Sequence, residues 1–231
     1  MAARPIGMRI PGRVLALVTL LLLAACGSET GEAGSDTSGA DGSRPPTPST
    51  VPAAPGDVRT RGIVTVMDNG APEVCLGPVA ESWPPQCRGP RLVGWSWKAQ
   101  RLVLGQPSQR PTRPAYEQQG AVRWGQYALT GRWNGRSLTV LTSVPAALYD
   151  ATPDESPALP TPERGYDADE LVRIAEELGG ELPGALTSYA DRGHVLVDVT
   201  YDDGSLQAWA DEAYGTNVVV VTSALVDVPG G

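Results

Sequence analysis

The stretch Gln126-Tyr-Ala-Leu-Thr-Gly-Arg-Trp-Asn-Gly-Arg-Ser-Leu-Thr-Val-Leu-Thr142 decides the fold class of the first half of the chain. Residues 126–133 and 137–142 are rich in the residue types that favour β-strands, and Asn134-Gly135 stands between them. Two such runs joined by Asn-Gly predict a β-hairpin with a type I′ turn, because that turn requires positive φ at both central residues. The sequence therefore predicts an antiparallel strand pair here.

Three further β-type runs precede this hairpin, at residues 62–67, 73–76 and 92–97. Five short strands in this order predict a small antiparallel barrel of the OB-fold or SH3-like kind over residues 57–145. Residues 99–120 contain several arginines and prolines and predict a long loop, and a long loop within a compact domain often carries function.

The second half of the chain has the pattern of a small α/β module over residues 167–228. Asp167 and Glu170 form a capping box, with the aspartate as N-cap and the glutamate at the third helical position. The residues that follow at the spacing of one buried helix face are Leu171, Ile174, Ala175 and Leu178. Gly179-Gly180 is predicted to end this helix.

Two strands and a second helix follow the first helix. Residues 194–201 alternate as a strand, Leu206 and Trp209 indicate a short helix, and residues 218–221 predict a buried strand. A crossover of about fifteen residues is long enough for a parallel βαβ unit. The predicted fold class is therefore α+β, with the barrel-like module followed by the α/β module after a Pro-rich linker over residues 146–166.

The N-terminal residues have the features of an export signal. Residues 1–25 carry arginines and no acid, and an apolar run precedes Leu23-Ala24-Ala25-Cys26. That tetrapeptide resembles the bacterial lipobox, which implies cleavage before Cys26 and a diacylglyceryl group on its thiol. The resemblance implies a cell-membrane protein, anchored by lipid on the extracytoplasmic face. Residues 26–56 are mostly Gly, Ser, Thr, Pro and acids, and predict a disordered tether.

The remaining cysteines predict a disulfide. The chain has three cysteines, so a lipid on Cys26 leaves Cys75 and Cys87. In an exported protein an even remainder indicates a disulfide rather than a metal site.

The charge of the chain is divided between its two halves. Residues 57–145 hold eleven bases and five acids, whereas residues 150–231 hold three bases and seventeen acids. The favoured interpretation is that the two modules dock through opposite charge. The arginines expected to face the acidic half are Arg88, Arg91, Arg123, Arg132 and Arg136. The alternative is a basic module lying against anionic lipid or cell-wall polymer.

The basic module also contains most of the tryptophans. The candidate ligand-binding residues are Trp83, Trp95, Trp97, Trp124 and Trp133. Trp95 and Trp97 are predicted to share one sheet face, because strand side chains alternate with period two. The alternative is that a chain without phenylalanine uses tryptophan to fill its core. Trp83, beside two prolines in the cysteine loop, is the one expected at the surface.

The sequence carries no recognisable catalytic or metal-binding motif. His194 is the single histidine and is expected to be structural, and Lys98 is the single lysine. No Gly-x-Ser-x-Gly elbow and no set of residues at metal-ligand spacing is present. Asp198, Asp202 and Asp203 lack the EF-hand pattern and predict a turn. No catalytic residue, cofactor or metal is expected, and no nucleic-acid partner.

Two stretches resemble uncharacterised exported lipoproteins of high-GC Gram-positive bacteria. The first comprises residues 74–77, 82–87, 94–97, 125–127 and 131–135, and the second comprises residues 201–207, 214–215 and 220–225. The resemblance implies an exported location and transfers no active site. The leading hypothesis is a membrane-anchored lipoprotein that binds a cell-wall polymer or exported protein without catalysis. The alternatives are an accessory or inhibitory subunit, and an extracellular hydrolase with an acid in a cleft beside the tryptophans.

Overall fold

The computed structural model describes residues 44–103, 112–150 and 158–230, which belong to one compact unit. Cys26, the predicted signal peptide and the tether up to residue 43 lie outside the described residues. The strands of the first half are β1 (Asp57–Thr60), β2 (Val64–Asp68), β3 (Pro72–Cys75), β4 (Arg91–Val93), β5 (Arg101–Val103), β6 (Thr112–Pro114), β7 (Glu117–Gln119), β8 (Val122–Trp133) and β9 (Ser137–Pro145). The elements of the second half are α1 (Ala168–Glu181), β10 (Ala185–Asp191), β11 (His194–Val199), α2 (Ser205–Tyr214), β12 (Val219–Ser223) and β13 (Leu225–Asp227).

Five strands of the first half close into a barrel. Their order is β8-β2-β3-β4-β9, and β9 pairs again with β8. All neighbours are antiparallel except β4 and β9, which run parallel. If these five strands alone are numbered 1 to 5 along the chain (β2, β3, β4, β8 and β9), their order around the barrel is 1-2-3-5-4-1. The parallel pair then joins strands 3 and 5. The predicted small barrel is therefore confirmed, and its strand order is that of the OB-fold.

The β8–β9 hairpin is confirmed, but the predicted type I′ turn is wrong. Gly135 has φ of +86°, whereas Asn134 is not among the residues with positive φ. The Asn134 side-chain oxygen instead accepts hydrogen bonds from the backbone N–H groups of Arg136 and Ser137, at 3.0 and 2.8 Å. The asparagine thus closes the turn with its side chain, as in an Asx-turn.

The strand predicted over residues 92–97 ends at Val93, because Gly94 turns the chain with φ of +78°. Trp95 and Trp97 therefore lie in the loop after β4, and the prediction that they share a sheet face is wrong. The loop predicted over residues 99–120 contains three short strands, β5 to β7. The middle of that segment, residues 104–111, lies outside the described residues.

The first helix of the α/β module begins as its sequence predicts. The Asp167 carboxylate accepts from the Glu170 N–H at 2.8 Å, and the Glu170 carboxylate accepts from the Asp167 N–H at 3.2 Å. The predicted stop at Gly179-Gly180 is wrong, because α1 continues to Glu181 before Leu182 ends it. Packing of its apolar face outweighs the cost of two glycines in the last turn. Among the described residues, no helix combines the length and apolar character needed to cross a bilayer.

The sheet of this module has three strands in the order β10-β11-β12. β11 and β12 are parallel and joined through α2, so the predicted βαβ unit is confirmed. The antiparallel strand β10, which pairs with β11, is not predicted by the sequence. Its run Ala185-Leu-Thr-Ser-Tyr-Ala-Asp191 mixes small and polar residues, and every described position of it is at least partly exposed.

The last strand of the chain joins the two modules. β13 pairs antiparallel with β1, which in turn pairs with β8 of the barrel. Leu225 on β13 and Tyr201 after β11 are fully buried in the barrel's hydrophobic core. The Tyr201 hydroxyl donates to the Asp227 carboxylate at 2.9 Å. The α/β module thus completes the barrel's core with its own side chains.

The segment of residues 44–56 lies against both modules. The Trp133 indole N–H donates to the Pro52 carbonyl at 2.8 Å, and Val51 packs against the barrel core. At the other end, the Arg44 guanidinium lies 5.1 Å from the Trp209 ring centroid. The prediction of a disordered tether is therefore wrong for residues 44–56. Proline already restricts this backbone, so ordering it costs less entropy than ordering a Gly/Ser segment.

Candidate functional site

The five candidate tryptophans do not form one surface. Trp97, Trp124 and Trp133 are buried, and Trp95 is half-buried. Trp83 is 67% exposed, as the sequence predicts. The alternative that tryptophan fills the core is therefore confirmed for three of the five, and Trp83 is the one that presents a ring to solvent.

The buried tryptophans have structural contacts. The Trp97 indole N–H donates to the Asp68 carboxylate at 2.8 Å, and the ring packs against Tyr116 and Trp95. The Trp133 indole N–H holds the N-terminal segment as described above. A buried indole usually finds such an acceptor for its N–H, so Trp97 and Trp133 are structural residues of the core.

A disulfide-closed loop carries Trp83. Cys75, the last residue of β3, is bonded to Cys87, so the predicted disulfide is present in the structure. Within the loop, the Ala80 N–H donates to the Gln86 carbonyl at 2.8 Å. Trp83 packs edge-on against Trp124 of β8, with ring centroids 4.9 Å apart. The covalent closure and this contact fix the exposed tryptophan relative to the barrel wall.

Trp83 and Trp124 line a groove of about 630 Å³, which we call the Trp83 groove. Tyr116 adds a third aromatic ring to its lining. The polar side chains that line it are Thr65, Glu81, Ser82, Arg113, Glu117 and Gln126. Its volume and its mixture of aromatic and polar walls are typical of a small-ligand site, for which about 300–1,000 Å³ is common.

The far wall of the groove comes from the segment between β6 and β8. Glu117 on β7 lies opposite Trp124 on β8 in the antiparallel register. The Tyr127 hydroxyl donates to the Ala115 carbonyl at 2.7 Å and so ties this segment to the barrel. Burial, and secondarily the proximity of Tyr116, raise the pKa of Tyr127 well above its usual value, so the phenol stays protonated as this donor.

Gly125 permits the close approach of this wall. A Cβ atom at this position would lie 2.7 Å from the Tyr127 hydroxyl oxygen and 2.9 Å from the Ala115 carbonyl oxygen. Both distances are shorter than ordinary contacts, so a larger residue would push the wall away from β8. The glycine is therefore required by the shape of the groove.

The charge of the groove is mixed with an acidic excess. Two carboxylates, Glu81 and Glu117, and one guanidinium, Arg113, line it, and all three residues are exposed. An anionic polymer would meet two like charges there, whereas a neutral ligand would meet hydrogen-bond acceptors and one donor. The groove therefore disfavours polyanionic ligands.

The other chemistry-bearing residues have structural roles. His194 is buried, and its Nδ1 lies 3.3 Å from the Asn217 carbonyl oxygen. The Asp202 carboxylate accepts from the N–H groups of Gly204, Leu206 and Gln207 at the start of α2, as a turn and helix cap. The described residues contain no group of three or more His, Cys, Asp or Glu residues arranged to hold a metal.

The five arginines expected to face the acidic half form no ion pair with its described residues. Arg132 pairs with Asp57 of the same module at 3.2 Å, and Arg123 donates to Gln118. Arg88, Arg91 and Arg136 form no ion pair with any residue described over 158–230. Docking of the modules by opposite charge is therefore wrong, because the apolar side chains of Tyr201 and Leu225 and the pairing of β13 join them instead.

The sequence identifies one wall of the groove and misses the other. Trp83 stands out by its position beside Pro84-Pro85 in the cysteine loop, whereas Arg113, Tyr116 and Glu117 are indicated only as part of the long loop predicted over residues 99–120. The pairing of β7 with β8 and the hydrogen bond from Tyr127 to Ala115 bring residues 113–117 beside Trp124. No family model, curated protein or solved structure matches the chain.

Proposed function

We propose that the chain is a lipid-anchored, extracytoplasmic protein that binds a neutral glycan in the Trp83 groove. The observation that carries this proposal is an exposed tryptophan at a groove of about 630 Å³, held there by a disulfide-closed loop. The lipobox at Leu23–Cys26 supports the membrane anchor, and the cystine is consistent with an oxidising, exported location.

The chemistry of the groove fits a neutral sugar better than an anionic polymer. The apolar face of a sugar ring can pack on the exposed indole of Trp83, as apolar surfaces do in aromatic-lined sites. Carboxylates such as Glu81 and Glu117 accept hydrogen bonds from hydroxyl groups, and Arg113 donates them. Because carboxylates outnumber the guanidinium, the proposed glycan is neutral rather than an anionic cell-wall polymer.

A fluorescence titration of the purified full chain tests this function. The probe is a tetramer of N-acetylglucosamine, and a saturable change in tryptophan emission is expected. Trp83→Ala should weaken binding about tenfold, which corresponds to about 1.4 kcal/mol for the lost ring contact. Tyr189→Ala is the matched control, because this tyrosine is 50% exposed on β10 outside the groove lining, and it should leave the affinity unchanged.

Two results would contradict the proposal. One is the absence of saturable binding to neutral oligosaccharides, and the other is equal affinity of the wild type and Trp83→Ala. Tighter binding of an anionic polymer such as teichoic acid would overturn the assignment of a neutral ligand.

A second candidate, hydrolysis of the bound glycan, is favoured by the two carboxylates beside the tryptophans. Glycosidases use a pair of carboxyl groups across the scissile bond. Glu81 and Glu117 are both exposed, however, whereas a general acid usually lies in a desolvated environment. Binding without turnover is therefore the preferred function. Release of reducing ends that is abolished by Glu81→Gln or Glu117→Gln would establish hydrolysis instead.

A further inference from the structure

A second pocket lies where the barrel meets the α/β module. It has a volume of about 360 Å³ and is lined by residues 61–64 and 76–78 of the barrel module and by residues 186–187, 198 and 223–224 of the other half. Small-ligand sites occur preferentially at such junctions, and this volume falls within their usual range of about 300–1,000 Å³. None of these residues lines the Trp83 groove.

The body of this pocket is apolar. Ile63, Leu76 and Leu186 contribute large aliphatic side chains to its lining. Ile63 is 44% exposed, so part of its apolar side chain is open to solvent. The side chain of Leu186 also meets the barrel directly, since its Cβ lies 3.3 Å from where a Cβ on Gly77 would be. An apolar ligand group would cover the exposed surface of Ile63.

One charge of each sign lines the pocket, and each comes from a different module. Arg61 precedes β2 of the barrel, and its backbone N–H donates to the Ala224 carbonyl at 2.9 Å. Asp198 lies on β11, and one of its carboxylate oxygens accepts from the Thr187 hydroxyl at 2.7 Å. Neither Arg61 nor Asp198 belongs to an ion pair within the described residues. Arg61 is exposed and Asp198 is half-buried, so a ligand in the pocket can reach both charged groups.

We propose that this pocket, where Arg61 and Asp198 flank an apolar wall, binds a small zwitterion with an apolar side chain, such as a free amino acid or a dipeptide. The ligand carboxylate meets the Arg61 guanidinium, the ligand ammonium meets the Asp198 carboxylate, and the aliphatic side chain covers Ile63. A ligand with only a carboxylate would pair with Arg61 alone, and a ligand with only an ammonium would pair with Asp198 alone. A wholly apolar ligand would pair with neither. This site does not depend on glycan binding in the Trp83 groove.

Four forms of one ligand test the charge assignment by calorimetry on the full chain. The zwitterion leucine should bind more tightly than leucinamide, which lacks the carboxylate, and N-acetylleucine, which lacks the ammonium. The expected loss is about fivefold or more for each removed charge, and N-acetylleucinamide should bind most weakly.

Two variants assign each charge to its partner. Arg61→Gln should weaken leucine but leave leucinamide unchanged, and Asp198→Asn should weaken leucine but leave N-acetylleucine unchanged. The amide oxygen of the asparagine can still accept from Thr187, so the fold is expected to persist. Arg136→Gln and Glu212→Gln are matched exposed controls outside the pocket, and leucine affinity should not change in either.

The proposal is overturned if the four leucine forms bind equally or if none of them gives saturable heat. It is also overturned if Arg61→Gln and Asp198→Asn leave leucine affinity at the wild-type value. Because the two tests use different ligands and different variants, failure of one site can be distinguished from failure of the other.

Discussion

The barrel and the α/β module build their cores from different contacts. The barrel core combines valines with large aromatic residues, including Trp97, Tyr127 and Trp133, brought together by strands far apart in the chain. The α/β core is mostly aliphatic, and much of it comes from α1 and the neighbouring strand β11. Local signals therefore predict the helices and two of the three strands of the α/β module, whereas the barrel depends on closure by long-range pairing.

The two regions also differ in what they present to solvent. The barrel carries the disulfide, the exposed Trp83 and the groove beside it. The α/β module contributes Tyr201 and Leu225 to the barrel core. The barrel therefore carries the groove proposed to bind glycan, and the α/β module contributes to the core that supports it. The predictions below test this division.

The largest loss of stability is expected from Leu225→Ala, which removes a side chain that the α/β half contributes to the barrel core. Removing a fully buried leucine costs about 2–5 kcal/mol of the free energy of unfolding. Because the core is shared, near-UV and far-UV circular dichroism should both report unfolding at a lower denaturant concentration. Leu148→Ala, at a side chain that is 58% exposed, is the control and should change stability by less than about 0.5 kcal/mol.

Independent modules would give a different result for Leu225→Ala. The far-UV signal from the helices would then unfold at the wild-type midpoint while the near-UV signal of the barrel shifted. That outcome would contradict the shared core.

The second prediction concerns the disulfide between Cys75 and Cys87 of the barrel module. Replacing both Cys75 and Cys87 by serine should lower stability by about 2 kcal/mol, since a loop of this size is worth up to about 3 kcal/mol and its prolines reduce the gain. Affinity for the N-acetylglucosamine tetramer should fall as well, because the loop fixes Trp83. Denaturant unfolding and the fluorescence titration check the two effects, and unchanged glycan affinity would show that the loop does not organise the groove.

A smaller effect is expected at the helix cap of the α/β module. Asp167→Ala removes the acceptor for the Glu170 N–H and should cost about 1 kcal/mol in denaturant unfolding. Asp167→Asn keeps an acceptor at the N-cap and should retain most of the stability. Equal losses in both variants would show that charge rather than capping matters at this position.

The last prediction concerns the pH dependence of stability in alkali. Burial raises the pKa of Tyr201, in the barrel core, and of Tyr214, in the α/β core, to about 12. A raised pKa favours the protonated phenol in the folded state, so this stability is complete below about pH 10 and is lost as the pH rises towards 12. Tyr201→Phe and Tyr214→Phe should each flatten the fall in unfolding free energy between pH 10 and 12. A slope unchanged in both variants would contradict the burial of these phenols.

Local sequence signals predict most helices and strands, whereas long-range strand pairing determines which residues line the Trp83 groove. The capping box at Asp167 and the strands around Asn134-Gly135 are correct because neighbouring residues determine them. The ordering of residues 44–56 depends on the hydrogen bond that the Pro52 carbonyl accepts from the Trp133 indole N–H, and the folded barrel positions that donor. Glu117 likewise becomes a groove residue only through its register with Trp124.

Acrylamide quenching of tryptophan emission, with and without the N-acetylglucosamine tetramer, tests the central claim most directly. Because Trp83 is the exposed tryptophan of the groove, the account predicts a red-shifted, quenchable component that Trp83→Phe removes and that saturating glycan protects. A quenchable component that persists in Trp83→Phe, or one that the glycan does not protect, would contradict the assignment of the Trp83 groove as the binding site.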